Sequence, residues 1–147
     1  MEGMDRELDA ILERMARRYV SRKTSPCCKK EYPVGYEIKG VEEVSELTSN
    51  CRVVFINFYS PMCPYCDLFY PVYMEIGRKY NGNAVFARQN VATNPELAWR
   101  YNVLMTPTTI VLVDGKPAYQ IQGYIPKEYF EETVKNILVE TQCIEKQ

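Results

Sequence analysis

Apolar residues follow two different spacings along this chain, and each spacing predicts a different kind of element. Three runs of mostly consecutive apolar residues, at 53–59, 84–91 and 108–113, predict buried strands. Elsewhere, apolar residues recur every three or four positions, which is typical of helices that bury one face. Two long helices are predicted in this way, one containing Phe69, Val72, Tyr73, Ile76 and Tyr80, the other Phe130, Val134, Ile137 and Leu138.

Weaker signals complete the order of elements. Residues 32–38 are compatible with an edge strand, and a short helix is predicted around Val41 to Leu47. Asn94-Pro95-Glu96 predicts a further short helix, because a capping side chain is followed by a proline whose missing N–H needs no partner in the first turn. A turn at 114–117 joins the third strand to residues 118–122 as a hairpin, before the last helix.

Length and composition agree with one domain. The 147 residues are 46% hydrophobic and can bury a core, whereas two full domains would be cramped. The net charge of −1 provides no general attraction to nucleic acid or anionic membranes, and no apolar stretch approaches membrane-spanning length. The N-terminal residues are charged and lack the apolar core of a signal peptide, so we expect a cytoplasmic protein and a monomer.

The first residues form a segment of their own. Leu8, Ile11, Leu12, Met15 and Tyr19 recur at helical spacing. Several arginines and lysines between residues 14 and 30 make the stretch basic. We expect a helical extension and connection over residues 1–32, packed on a domain that covers 33–147. The alternative is a basic arm that binds a partner.

Chemistry is concentrated in Cys63-Pro64-Tyr65-Cys66, between a predicted strand and a predicted helix. At a helix start, free backbone N–H groups favour a negative charge, so Cys63 is the expected thiolate nucleophile. Cys66 lies one turn further in, where it can resolve a mixed disulfide. Pro64 suits the first helical turn. Two cysteines with this spacing could also be half of a zinc site.

Further features give the motif a context. Pro71 lies inside the predicted helix, Thr106-Pro107 opens a strand at a position where a cis peptide is plausible, and Gly123 follows the hairpin. Together with the two cysteines, these features resemble the thioredoxin family over about 41–139. The resemblance implies an α/β thioredoxin fold. Its mixed sheet of four or five strands is flanked by helices, and its disulfide lies beside a cis-proline.

The resemblance also identifies departures from the family pattern. Asn57 stands where the family has a buried aspartate that helps to deprotonate the resolving cysteine, and Arg88 matches the lysine that often accompanies that aspartate. Met62 replaces the usual tryptophan. The intervening pair is the Pro-Tyr of glutaredoxins, which use glutathione, although the other spacings are similar to thioredoxins. The alternative interpretation is that Asn57 is only a buried amide whose hydrogen bonds are satisfied.

Four cysteines lie outside the motif. For a cytosolic protein, free thiols are the expectation for Cys27, Cys28, Cys51 and Cys143. In the topology that the resemblance implies, Cys51 and Cys143 lie at the same end of the domain and could form a structural disulfide. A zinc site that combines Cys27 and Cys28 with the motif is disfavoured, because adjacent cysteines chelate poorly. We therefore expect no metal and no cofactor.

These observations predict a thiol–disulfide oxidoreductase of the protein disulfide reductase or isomerase type. Its partners would be disulfide-containing proteins and either a reductase resembling thioredoxin reductase or a small thiol, with no nucleic acid and no membrane. The alternatives are a glutathione-dependent oxidoreductase and a non-catalytic adaptor that uses the basic N-terminal helix. The residues expected to contact substrate are Met62, Tyr65, Thr106, Pro107 and Tyr124.

Overall fold

The computed structural model describes residues 6–14 and 27–146. One five-stranded sheet forms its centre, with helices on both faces. The strands are β1 (Tyr36–Glu37), β2 (Val53–Tyr59), β3 (Val85–Asn90), β4 (Thr108–Val113) and β5 (Lys116–Gln122). The helices are α1 (residues 6–14), α2 (Val41–Asn50), α3 (Pro64–Tyr80), α4 (Glu96–Arg100) and α5 (Lys127–Glu140).

The strand order is β1-β3-β2-β4-β5, so β2 lies in the middle of the sheet. It pairs in parallel with β3 and antiparallel with β4, and β1 pairs in parallel with β3 at one edge. The β4–β5 pair is the predicted hairpin. This arrangement confirms the mixed thioredoxin-type sheet, although the edge strand has only two residues instead of the predicted seven.

Burial of β2 on both faces explains its sequence, which is apolar except for Asn57. Val53 and Phe55 pack into the core under α3 and α5, while Val54, Ile56 and Phe58 pack into the core beside α2 and α4. Side chains alternate between the two faces of a strand, so consecutive residues of β2 enter opposite cores.

Helix α3 packs against α5 and the sheet through aromatic side chains. Phe69 and Tyr73 both contact Phe130 of α5, with ring centroids 5.1 and 5.8 Å apart. The Tyr73 hydroxyl donates a hydrogen bond to the Ala87 carbonyl at 2.6 Å, and burial raises the pKa of this phenol well above its ordinary value. The direction of α3 is thereby fixed relative to β2 and β3.

The N-terminal helix differs from the expectation of a packed extension. In the part that the structure describes, α1 is exposed along its whole length, and the stripe of Leu8, Ile11 and Leu12 is about half exposed. Its apolar face is therefore not packed on the domain in this region. The predicted continuation through Met15 and Tyr19 and most of the basic stretch lie outside the described residues.

The cysteines outside the motif are paired, which corrects two expectations. Cys27 is bonded to Cys143 and Cys28 to Cys51, so these four are not free thiols and the suggested pairing of Cys51 with Cys143 is wrong. Cys51 belongs to the core beside α2, whereas Cys143 belongs to the core under α5, on the opposite face of the sheet. Cys27 and Cys28 are adjacent in the chain, and each is bonded to a cysteine on a different face of the sheet.

Backbone contacts hold this pair of cysteines at the start of β2. The Arg52 N–H donates to the Cys27 carbonyl and the Lys29 N–H donates to the Asn50 carbonyl, both at 2.7 Å. The Arg52 guanidinium also donates to the Thr141 carbonyl at 2.9 Å, which links β2 to the end of α5. Cys27 is buried in the core, so the segment is more than the loose connection predicted from sequence.

Among the residues that the structure describes, no cluster of three or more potential metal ligands is present. A zinc site formed by all four of Cys27, Cys28, Cys63 and Cys66 is excluded by their positions. Cys27 and Cys28 lie beside the start of β2, whereas Cys63 and Cys66 follow its other end.

Within 6–14 and 27–146, none of the helices combines the length and apolar character that crossing a bilayer requires.

Replacing the two disulfides separately by serine pairs should destabilise the protein unequally. Disulfides stabilise by restricting the unfolded chain, and the Cys27–Cys143 bond closes a separation of 116 residues against 23 for Cys28–Cys51. We expect losses of about 5 and about 3.5 kcal/mol in the free energy of unfolding. Urea denaturation of both double variants measures this order, and a larger loss for the shorter loop would contradict it.

Candidate active site

The disulfide between Cys63 and Cys66 lies where β2 passes into α3. Helix α3 begins at Pro64, and Cys63 is its N-cap. The backbone N–H of Cys66 points at the Cys63 sulfur, with an N–Sγ distance of 3.2 Å. This N–H is one of the donors that the first helical turn leaves unpaired, so the site can stabilise negative charge on Cys63.

The two sulfurs have different access to solvent. Cys63 is partly exposed, whereas Cys66 is 4% exposed and belongs to the buried face of α3. The turn before them includes Met62, whose φ of 56° is in the left-handed region and whose side chain is 99% exposed. A reactant arriving from solvent therefore meets Cys63 before Cys66.

The loop before β4 forms the other wall of the site. The Thr106–Pro107 peptide bond is cis, and the Thr106 carbonyl oxygen lies 3.7 Å from the Cys63 sulfur. The Thr106 hydroxyl lies 3.8 Å from the same sulfur and shares a 2.8 Å hydrogen bond with the Ser60 hydroxyl. Behind the loop, the Gly123 N–H donates to the Pro107 carbonyl at 2.7 Å. The loop is thus anchored to the strand ends on both sides.

Sequence reasoning did not identify Ser60. Its hydroxyl joins the turn after β2 to Thr106, 46 residues later in the chain. A serine three residues before Cys63 gives no signal of this contact in the sequence, because the partner is brought close only by the pairing of β2 with β4.

Asn57 is buried and hydrogen-bonded. Its side-chain amide donates to the Thr109 hydroxyl on β4 at 3.2 Å. By the alternation of β2, Asn57 is on the same face as Phe55, which packs against α3, and this is also the face towards which Cys66 is buried. The amide of Asn57 is therefore hydrogen-bonded, and β2 carries no carboxylate.

Arg88 is the neighbour of Asn57 on β3. Its guanidinium carbon lies 3.8 Å from the ring centroid of Tyr59 and 4.4 Å from that of Tyr70. The Tyr59 hydroxyl donates to Glu37 at 2.6 Å, and burial together with this contact raises the pKa of Tyr59 to about 12. The cation is therefore held between two aromatic rings, in cation–π contacts.

The remaining predicted contact residues have different surroundings. Tyr65 is 64% exposed on the first turn of α3, where it follows the exposed Pro64. Tyr124 packs edge-on against Phe69, with ring centroids 6.3 Å apart, and so lies against the same helix as the disulfide. The structure thus brings Cys63, Cys66 and Thr106 into contact and leaves Met62 and Tyr65 projecting into solvent.

A disulfide at a helix N-terminus, in contact with a cis-proline loop at the same end of a mixed sheet, defines a protein of the thioredoxin fold with a redox-active disulfide. Sequence comparison agrees, since the Thioredoxin family model matches residues 40–136. A thioredoxin of Staphylococcus aureus is 34% identical over 82 residues, which is 56% of this chain and 79% of that protein.

Solved structures show the same fold. A mutant thioredoxin from Halobacterium salinarum has a TM-score of 0.67 at 23% identity, covering 74% of this chain and 94% of its own. A thioredoxin from Trypanosoma brucei brucei has a TM-score of 0.65 at 20% identity, covering 75% and 96% respectively. The chain belongs to the thioredoxin family, and it is a thiol–disulfide oxidoreductase.

The redox potential of the Cys63–Cys66 pair should lie above the roughly −270 mV of thioredoxin and nearer the roughly −200 to −230 mV of glutaredoxins. Pro64 and Tyr65 form the glutaredoxin-type pair, and the Cys66 N–H stabilises the thiolate of the reduced form. Equilibration against glutathione measures the potential. Replacing the pair by Gly-Pro should lower it, and a wild-type value at or below that of thioredoxin would disprove the expectation.

Proposed function

We propose that Cys63 is the attacking cysteine and Cys66 the resolving cysteine of a protein disulfide reductase or isomerase. The observation that supports this assignment is their asymmetry. Cys63 is partly exposed with the Cys66 N–H 3.2 Å from its sulfur, while Cys66 is buried. An N–H at the sulfur lowers the cost of a thiolate, and burial raises the pKa of a thiol.

The reaction has two exchanges. The Cys63 thiolate attacks one sulfur of a substrate disulfide, a mixed disulfide forms, and the other substrate sulfur leaves as a thiolate that takes a proton from water. The Cys66 thiol then loses its proton and attacks the Cys63 sulfur, which releases the second substrate thiol and closes the Cys63–Cys66 bond. Two electrons pass to the substrate, and an external dithiol or two small thiols restore the reduced pair.

Thr106 and Pro107 are proposed to line the groove for the substrate polypeptide. Thr106 contacts the Cys63 sulfur and lies just before β4, so its backbone groups are in a position to pair with an extended segment. Met62, Tyr65 and Tyr124 are proposed as apolar contacts around the groove. All three are exposed and have the aromatic or thioether character that is frequent at protein interfaces.

Family membership indicates disulfide-containing substrates and reductases as partners. We propose that the electron donor is either a protein that resembles thioredoxin reductase or a small thiol. We also propose that the protein acts as a monomer and binds no nucleic acid, and that its N-terminal extension ends at residue 32. The cytoplasmic location is likewise a proposal. Two disulfides outside the active site require an oxidising compartment or a cytoplasm in which disulfides persist.

An insulin-reduction assay tests the assignment of roles. Cys63→Ser should abolish turnover, whereas Cys66→Ser should accumulate a mixed disulfide through Cys63 that mass spectrometry detects. As a control, the double variant Cys28→Ser/Cys51→Ser should retain reduction below its melting temperature, because this disulfide lies at the other end of β2. Turnover by Cys63→Ser would remove Cys63 from the mechanism.

Asn57→Asp should accelerate the second exchange by about tenfold or more, since a carboxylate on the face of β2 towards which Cys66 is buried can accept a proton and the present amide cannot. The first attack, at the exposed Cys63, should change little. Stopped-flow measurement of the formation and breakdown of the mixed disulfide separates the steps. Asn57→Ala is the matched control, and breakdown no faster in the aspartate variant would assign position 57 a purely structural role.

The same variant should lose stability in a defined pH range. Burial raises the pKa of a carboxyl group in the native state above its unfolded value of about 3.9, so the folded form binds the proton more tightly. The variant should approach wild-type stability below about pH 4 and become less stable as the pH rises from there through the native pKa. Urea denaturation at several pH values checks the sign, and a pH-independent difference would contradict it.

A further inference from the structure

Two hydroxyl groups form a short chain that ends at the Cys63 sulfur. The Ser60 oxygen lies 2.8 Å from the Thr106 oxygen, and the Thr106 oxygen lies 3.8 Å from the Cys63 sulfur. All three residues are partly buried. Among the residues that the structure describes, Thr106 is the one hydrogen-bond partner of the Ser60 side chain. The Ser60 hydroxyl therefore acts on the site through Thr106.

Strand pairing places the two hydroxyls opposite each other. In the antiparallel β2–β4 pair, Phe58 is paired with Thr108, and continuing this register by two residues aligns Ser60 with Thr106. A serine and a threonine that face each other on paired chains can hydrogen-bond through their side chains. The contact is thus a consequence of the register of the sheet and not of a local turn.

Other contacts hold the loop before β4 in place. The Thr108 hydroxyl donates to the Met105 carbonyl at 2.6 Å, and the Gly123 N–H donates to the Pro107 carbonyl at 2.7 Å. Pro107 itself is buried. These contacts remain when the Ser60 hydroxyl is removed, so what such a change alters is the hydrogen bonding of the neighbouring hydroxyl and not the path of the backbone.

The direction of the protons decides what this chain does, because each hydroxyl has one proton to donate. The Cys63 sulfur carries no proton in the disulfide or as a thiolate, so the Thr106 hydroxyl is the donor in their contact. When the Ser60 hydroxyl donates to Thr106, the Thr106 proton points away from Ser60 and towards the sulfur. Each hydrogen bond in such a chain polarises and strengthens the next.

Few charges compete with these donors. The turn at 60–62 and the loop at 102–107 contain no charged residue. The charged side chains of α4, of β3 and of the first turns of α3 and α5 are exposed or held between aromatic rings, and they are Glu96, Arg100, Arg88, Asp67, Lys127 and Glu128. The remaining titratable groups at the site are uncharged at neutral pH, namely Cys66, Tyr65 and Tyr124.

We propose that Ser60 is a positioning residue for the attacking cysteine, because its hydrogen bond to Thr106 directs the Thr106 hydroxyl proton onto the Cys63 sulfur. This inference rests on the proposed role of Cys63. A hydrogen bond to an ionised acceptor is stronger than one between neutral groups, so the chain favours the thiolate over the thiol. It adds to the Cys66 N–H, which lies 3.2 Å from the same sulfur.

The pH dependence of alkylation tests the chain. In Cys66→Ser, Cys63 is the free thiol while the other four cysteines stay in their disulfides, and its reaction with iodoacetamide follows the thiolate fraction. In this background, Thr106→Val should move the midpoint of the profile up by about one pH unit and Ser60→Ala by about half of that. Ser60→Thr keeps a hydroxyl and should preserve the midpoint. Ser49→Ala removes a hydroxyl on the last turn of α2, is the control and should change nothing.

A double variant tests whether Ser60 acts through Thr106. Once Thr106→Val is present, Ser60→Ala should have no further effect, and additive shifts would overturn the chain. An unchanged midpoint in Ser60→Ala alone would overturn it as well, while the role of Cys63 stands. A midpoint of about 8.5 in the parent protein, the value of an ordinary thiol, would show that Cys63 is not activated. The proposed role of Cys63 would then fail together with the chain.

The redox equilibrium of the intact Cys63–Cys66 pair is a second readout. Two glutathione molecules reduce the disulfide and become glutathione disulfide, and a stabilised thiolate favours the reduced protein. Ser60→Ala should therefore lower the equilibrium constant for this reduction about threefold, which corresponds to about 15 mV. Ser60→Thr and Ser49→Ala should leave it unchanged. A constant in Ser60→Ala that equals or exceeds that of the wild type would overturn the proposal, even if urea denaturation shows a loss of stability.

Discussion

Burial of β2 on both faces is the constraint on which the rest of the structure depends. On one face Val53 and Phe55 pack under α3 and α5, and on the other face the even-numbered residues pack beside α2 and α4. The strand can therefore neither shift register nor turn over without exposing a core. The position of Cys63 follows from this constraint, because the turn after the strand leads directly into α3. Pairing with β4 then brings Thr106 against the same sulfur.

The proposed nucleophile, Cys63, and the proposed resolving cysteine, Cys66, depend on different parts of the structure. Backbone groups at the helix start favour a thiolate on Cys63, and they do not depend on which side chains surround the pair. In the proposed mechanism, deprotonation of Cys66 is different, because it requires a proton acceptor in a buried position. Here that position holds an amide bonded to Thr109, and the neighbouring Arg88 is held between Tyr59 and Tyr70.

The disulfides at the two ends of β2 differ in sequence separation and in exposure to solvent. At the end near α3, the bond is between residues three apart and one of its sulfurs is accessible, as a bond that opens and closes in each cycle requires. At the other end, two bonds join distant segments, and three of their four cysteines are buried. Burial protects a disulfide from attack by thiolates, so the chain can exchange one disulfide while it keeps the others.

The sequence by itself determined the features that are encoded locally. The apolar runs predicted β2 and β4, Asn94 and Pro95 predicted the start of α4, and the Cys63-Pro64-Tyr65-Cys66 motif predicted a redox-active helix start, because each depends on residues that are neighbours in the chain. The sequence did not predict which distant segments pair. Cys51 and Cys143 lie at the same end of the domain but on opposite faces of the sheet, and only the folded arrangement shows that Cys28 and Cys27 reach them. The contact between Ser60 and Thr106 and the joint exposure of Trp99 and Leu104 were decided in the same way, since they arise where strand pairing and loop geometry bring together residues that no local pattern connects.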